Sequence, residues 1–176
     1  MSEFKAFVES LKKLYLKESE PAIYRTYSDG TRFTDLTGST SFDKPSGGLW
    51  GCHDDSWKNW CAGENFPCSV NYFEWKLKPT AKLFTIDTPE DFVFLLKNYC
   101  DKSTETYHID FEKMSNDYDA IELTANGNSA LHNGLSTNDP EILDDPGYKF
   151  ALIFALNAWD VPSICVFHPK DSIDII

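Results

Sequence analysis

The sequence predicts an α+β fold, built on a mostly antiparallel, split β-sheet flanked by helices, and three observations point that way. Apolar residues recur at helical spacing in three separated stretches, residues 3–17, 87–100 and 148–158. Between them lie short strand-like segments, the most regular being residues 70–77, where Tyr72, Glu74 and Lys76 alternate with Phe73, Trp75 and Leu77. Helix and strand patterns also succeed one another too irregularly for a doubly wound parallel sheet.

Each element has a local reason. Phe4, Phe7, Val8, Leu11, Leu14 and Tyr15 line one face of an amphipathic N-terminal helix, within residues 1–20, that opens at a Ser2 cap and reads as scaffold. Residues 22–27 read as a strand, Ser28-Asp29-Gly30 as a turn, and residues 31–36 as the hairpin return. Residues 37–47, rich in Gly, Ser and Thr, read as a loop. After the tandem Gly47-Gly48, Leu49-Trp50 reads as a short strand, and residues 54–61 as a helical turn opened by an aspartate cap, with Trp57 and Trp60 on one face. Beyond a turn at Pro79, residues 82–86 read as a strand antiparallel to residues 70–77.

Asp87-Thr88-Pro89-Glu90 starts a helix, with proline in its first turn and acids at the positive end of its dipole. Phe92, Val93, Leu95, Leu96 and Tyr99 supply its buried face, and it ends near Cys100. Residues 110–116 read as a short helix and residues 118–123 as a strand. Residues 124–146 are polar and turn-rich, a loop whose length suits a substrate-facing segment. Residues 148–158 read as a buried helix, residues 163–167 as the final apolar strand, and residues 169–176 close the chain.

A chain of 176 residues holds one well-buried core, so residues 1–176 read as a single domain. Acidic residues outnumber basic ones 28 to 16, for a formal net charge of -12, which disfavours nucleic acid and favours a basic protein as macromolecular partner. The five cysteines have no repeated spacing and the N-terminus lacks a signal-peptide pattern, pointing to a reducing, cytoplasmic setting. No run approaches the roughly eighteen apolar residues of a membrane span.

Three positions carry candidate chemistry. Arg25, within the aromatic strand Tyr24-Arg25-Thr26-Tyr27, needs an anion, either a carboxylate of the fold or a ligand phosphate held bidentately. Trp50, after its glycines, offers a flat aromatic surface for stacking. Glu122, between Ile121 and Leu123, faces away from both neighbours, to solvent or to a site. Cys52, His53, Cys61 and Cys68 are four soft ligands close in sequence, but their spacings fit no common zinc pattern and no metal is expected. No elbow motif surrounds Cys52 or Cys61 that would mark a nucleophile.

An arginine on the first strand, an aromatic on the second and a glutamate on a later one form a known division of labour. With Lys44-Pro45-Ser46-Gly47-Gly48-Leu49-Trp50, Lys82-Leu83-Phe84-Thr85-Ile86, the Pro89-Glu90-Asp91-Phe92 helix start, Tyr118-Asp119-Ala120-Ile121-Glu122 and the ending from Trp159-Asp160 to Phe167-His168-Pro169, the chain resembles the ADP-ribosyltransferase superfamily. More narrowly, it is similar to small, often phage-encoded or mobile-element proteins of that fold. The resemblance implies a split-sheet fold with an NAD pocket between its halves and cleavage of the nicotinamide–ribose bond. The acceptor, a protein side chain, a nucleic acid base or water, is left open, with the net negative charge against nucleic acid and a protein target expected. Such a protein would work in the cytoplasm, that of a host if viral or injected. Glu122 would be the catalytic carboxylate, with Asp160 as an alternative and Asp119 as a third candidate. Arg25, with Tyr24 and Thr26 beside it, would hold the diphosphate or a ribose hydroxyl, and Trp50, reached through Gly48, would pack on the nicotinamide. The chain departs from the arginine-bearing pattern in one respect: Ser39-Thr40-Ser41 lies upstream of the second strand, and Trp50-Gly51-Cys52 holds the strand position. The rival reading is a catalytically inactive acidic protein, such as a phage anti-defence inhibitor, that covers a basic partner surface.

Overall fold

The structure is a computed structural model that describes residues 21–30, 33–39, 44–103, 105–134, 137–154, 156 and 159–176. The helix expected over residues 3–17 lies outside the described residues. The fold is α+β. One sheet runs β1 (Tyr24–Tyr27), β5 (Tyr72–Leu77), β11 (Ile173–Ile175), antiparallel throughout. The other runs β4 (Leu49–Gly51), β10 (Ser163–Val166), β9 (Ala120–Leu123), β6 (Leu83–Ile86), antiparallel except for the parallel pair of β6 with β9. Two small antiparallel ladders join β2 (Leu36–Ser39) to β3 (Pro45–Gly47) and β7 (Cys100–Asp101) to β8 (His108–Ile109).

Because successive strand residues face opposite ways, each row across the four-stranded sheet belongs to one face. Leu49, Ala120, Ile164 and Val166 face the three-stranded sheet, packing with Tyr24, Trp75 and Ile173. Cys165, Ile121 and Leu123 face the helices, in a core shared with Phe92, Leu95 and Leu96 of α2 (Pro89–Tyr99), Phe111 and Met114 of α3 (Phe111–Met114), and Trp159. Trp75 is wholly buried between the two sheets, and a large side chain buried in this way contributes about 1.5–3 kcal/mol.

α2 starts where the sequence places it, since the Thr88 hydroxyl accepts the Asp91 N–H at 3.3 Å while the Asp91 carboxylate accepts the Thr88 N–H at 2.9 Å. Helix α1 (Ser56–Gly63) also forms as expected and stacks Trp57 on Trp60 with ring centroids 5.0 Å apart. Its expected aspartate cap works differently. Asp55 stands at the N-cap position without a capping bond, because Arg25 and Tyr27 take its carboxylate, and Asp54 accepts the Ser56 N–H instead.

Several pairings differ from expectation. β1 is not half of a local hairpin; its partner is β5, with Tyr24 opposite Trp75 and Arg25 opposite Glu74. β5 and β6 are not an antiparallel pair but belong to different sheets, because burial of Phe84 and Ile86 under α2 places β6 beside β9. Part of the expected 37–47 loop is the β2–β3 ladder. The segment read as a long polar loop, residues 124–146, contains α4 (Ala125–His132), capped by the Thr124 hydroxyl, and α5 (Pro140–Asp144), which starts at Asp139 with proline in its first turn. The buried helix is α6 (Pro146–Phe154), and β10 is not the final strand, since α7 (Pro169–Ser172) leads into β11. Among the described residues, no helix is long and apolar enough to cross a membrane.

α4 docks through Gly127, where an added Cβ would come 2.2 Å from the Ile86 carbonyl oxygen. Backbone is the obstacle, so the clash cannot be relieved by a rotamer change. Gly127→Ala is therefore expected to lower unfolding free energy by about 1–3 kcal/mol in urea titration, whereas exposed Ser129→Ala on the same helix should stay within about 0.5 kcal/mol of wild type.

Candidate functional site

The two sheets meet along one edge each. The Arg25 N–H donates to the Cys52 carbonyl at 2.7 Å and the Cys52 N–H to the Arg25 carbonyl at 3.0 Å, an isolated antiparallel bridge between β1 and the end of β4. Beyond this bridge the strands part, held by the Thr26 hydroxyl, which donates to the Trp50 carbonyl at 2.6 Å and accepts the Trp75 indole N–H at 2.8 Å. The gap is a cleft of about 930 Å³ whose wall includes Arg25, Thr26, Gly48, Trp50, Trp159 and Asp160, a volume within the range of small-molecule sites. Gly48 has φ +71°, and a Cβ there would lie 2.7 Å from the Val166 carbonyl oxygen, so only glycine lets the chain turn into β4 beside β10.

The cleft collects cations on an acidic protein, with Arg25, Lys44 and Lys170 all in its wall. The anion that Arg25 requires is supplied by the fold: its Nε donates to Glu74 and its Nη1 to Asp55, each at 3.0 Å. Bonds from Tyr27 and then Arg25 hold the Asp55 carboxyl below its ordinary range. Trp50 meets Trp159 edge to face at 5.0 Å, and the Lys44 ammonium stands 4.6 Å above the Trp50 ring, so that ring already serves a cation. Burial pulls Lys44 below its ordinary value, against the opposing charge of Asp160.

Glu122 lies on the other face of the sheet from Trp50. The rows decide this: Glu122 stands opposite Ile164 and Ile164 opposite Gly51, whereas Trp50 stands opposite Cys165 and Cys165 opposite Ile121. Glu122 is 8% exposed, the only buried carboxylate among the described residues. Its Oε1 accepts the Tyr24 hydroxyl at 3.2 Å and bonds to His53 Nε2 at 2.7 Å. No described residue bonds to Oε2. Tyr24 is sandwiched, with the Trp75 ring at 4.9 Å and the His53 ring at 4.3 Å. The hydrogen bond to Glu122, opposed by burial, raises His53 above its ordinary 6.5, and a backbone bond at Ile23 adds to the effect. Burial, then the Glu122 charge, pushes the Tyr24 phenol well up.

The candidate residues therefore divide into two adjoining groups. Arg25, Thr26, Gly48, Trp50 and Asp160 share the cleft, while Tyr24 and Glu122 are not part of its wall and meet His53 between the sheets. The groups touch through consecutive residues, Tyr24-Arg25 on β1 and Cys52-His53 after β4. Asp119 is structural, accepting the Lys82 N–H at 2.7 Å beside the start of β6. His53 as a partner of Glu122 escaped sequence reasoning, which weighed it only with Cys52, Cys61 and Cys68; its one signal was a histidine two residues after the tryptophan strand. Among the described residues, no cluster of three or more His, Cys, Asp or Glu side chains is placed to hold a metal ion. Burial pushes the Cys52, Cys61 and Cys165 thiols up, opposite to what a nucleophilic thiolate needs. No protein-family model, curated protein or solved structure matches the chain, and the site is read from its geometry.

The raised His53 value has a stability consequence with a definite sign. A basic group whose folded pKa exceeds its unfolded one adds stability that is complete below the unfolded value and is lost as pH rises through the folded value. The excess stability of wild type over His53→Gln in urea titration should therefore be largest at mildly acidic pH and shrink as pH rises past 6.5 and through the folded value. An excess that grows with pH would contradict the pairing.

Proposed function

We propose that the chain is an NAD-dependent ADP-ribosyltransferase of the split-sheet type, cleaving the nicotinamide–ribose bond and passing ADP-ribose to a protein acceptor. The observation that carries this reading is the cleft at the parting of β1 and β4, where three cations and three tryptophans, Trp50, Trp57 and Trp159, line one cavity of about 930 Å³. Cations suit a diphosphate and indoles suit the two ring systems of a dinucleotide. Glu122, bonded to Tyr24 and His53 one residue beyond the Arg25–Cys52 bridge, supplies a carboxylate with Oε1 held by both and no described partner on Oε2.

In this reading the C–N bond between ribose and nicotinamide breaks with its electron pair going to the ring nitrogen, which loses its positive charge. The ribose is left as an oxocarbenium-like cation, the acceptor's nucleophile attacks its anomeric carbon, and the acceptor gives up a proton. Glu122 stabilises the cation by charge and accepts a hydrogen bond from a ribose hydroxyl at Oε2. Arg25, where the cleft adjoins the Tyr24–His53–Glu122 group, holds the diphosphate while Asp55 and Glu74 fix its guanidinium. Trp50, on the opposite face of the sheet from Glu122, offers its ring to the other base of the dinucleotide rather than to the nicotinamide.

One observation favours a second reading, an acidic binding protein that covers a basic partner. The Arg25 guanidinium is already matched by two carboxylates, and the net charge of -12 suits a basic surface. Calorimetric titration with NAD and nicotinamide release separate the two. The transferase reading expects binding, release that falls about a hundredfold in Glu122→Gln with folding intact, and NAD affinity weakened about tenfold or more in Arg25→Ala. If Asp160→Asn abolishes release while Glu122→Gln retains it, the chemistry belongs to the cleft carboxylate. Neither binding nor release in wild type would leave the acidic binder.

A further inference from the structure

We propose that His53 is the positioning residue for Glu122, clamping one carboxylate oxygen so that the other is presented to substrate; this rests on the reading of Glu122 as the catalytic carboxylate. The geometry is asymmetric in a way that packing alone does not require. Both hydrogen bonds to Glu122 fall on Oε1, from His53 Nε2 at 2.7 Å and from the Tyr24 hydroxyl at 3.2 Å, and no described residue bonds to Oε2. A carboxylate held by one oxygen has its rotation about the terminal bond fixed, and the free oxygen then points in one direction.

His53 is suited to this because its own ring is held on two sides. The Tyr24 ring lies 4.3 Å from it, and Glu122 takes Nε2 at 2.7 Å. The titratable groups facing it are Glu122 from β9 and the Tyr24 phenol from β1, with Asp54 next along the chain. Glu122 first, then Asp54, favour the imidazolium against the opposing effect of burial; the imidazolium can donate from both nitrogens, whereas a neutral ring can donate from only one. Yet the His53 side chain is 53% exposed against 10% for Glu122, so the clamp exchanges protons with solvent while the carboxylate stays covered. Loss of the His53 proton removes the positive charge that strengthens the Nε2–Glu122 bond and slackens the hold on Glu122.

Two measurements test this together. In NMR titration, the His53 ring resonance, assigned by its disappearance in His53→Gln, should show a midpoint above 6.5 in wild type and a lower one in Glu122→Gln. In steady-state NAD turnover, His53→Ala should lower kcat about ten- to a hundredfold with KM little changed. His53→Gln, which keeps a donor but does not titrate, should recover most of that loss and erase the alkaline fall of kcat that wild type shows at the NMR midpoint. A His53 midpoint indifferent to Glu122→Gln overturns the pairing. Wild-type kcat and an unchanged pH profile in folded His53→Ala overturn the positioning role. Absence of NAD turnover in wild type would instead overturn the enzymatic reading, with the titration still judging the clamp by itself.

Discussion

Two backbone hydrogen bonds between Arg25 and Cys52 organise this molecule. β1 and β4 are edge strands of different sheets, and edges carry rows of unpaired backbone groups that a fold must cover or match. Here the edges match at one residue pair and then diverge. A longer ladder would close the cleft, and no ladder would let the sheets slide over the Trp75 core. The single bridge gives both contact and gap. It also determines what lies on each side, since Arg25 and Cys52 border the cleft while their neighbours Tyr24 and His53 turn toward Glu122.

The cost of Glu122 gives that arrangement its meaning. Moving a carboxylate out of water costs several kcal/mol, which good hydrogen bonds offset only in part. Its row neighbour Ile164 shows what the position would accept on packing grounds, an aliphatic side chain buried between the sheets. Only replacement of the whole set by apolar residues would be near neutral, because a hydrophobic residue at position 122 alone leaves the buried Tyr24 hydroxyl and His53 without their shared acceptor. Asp119 differs, since its carboxylate serves backbone at the start of β6 and has a purely structural account.

Local chemistry was legible in the sequence and long-range pairing was not. Thr88, Pro89 and Asp91 announce α2 because a capping box is satisfied within one turn, and alternation reveals β5 because one of its faces is buried. Which strand lies beside β5 depends on residues near both ends of the described chain, and nothing within residues 72–77 encodes that choice. α4 was missed because Ala125-Asn126-Gly127-Asn128-Ser129 has weak helix propensity. Tertiary contacts override it: the Gly127 approach to Ile86 and the Asn128 amide bond to the Trp159 carbonyl at 3.0 Å. At the site, Arg25, Trp50 and Glu122 stood out as unusual residues in apolar strands, whereas the opposite facing of Trp50 and Glu122 required the register of β10 between them. The tie of His53 to Glu122 spans most of the sheet, and the histidine that follows the tryptophan strand gives no sign of which partner it meets.

The position of β10 also bears on how the chain reaches this state. Strand β4 bonds to no other strand of its sheet but β10, and β9 gains its antiparallel neighbour only from the same segment. Closing such distant pairs loses chain entropy before any contact returns it, which slows folding of non-local β topologies. The helical side, with α2, α3 and β6 close in sequence, can collapse early by local contacts. The wall that β4 contributes to the cleft is joined to its sheet only through Ser163–Val166, so the cavity is a property of the closed long-range topology and of no local piece of the chain.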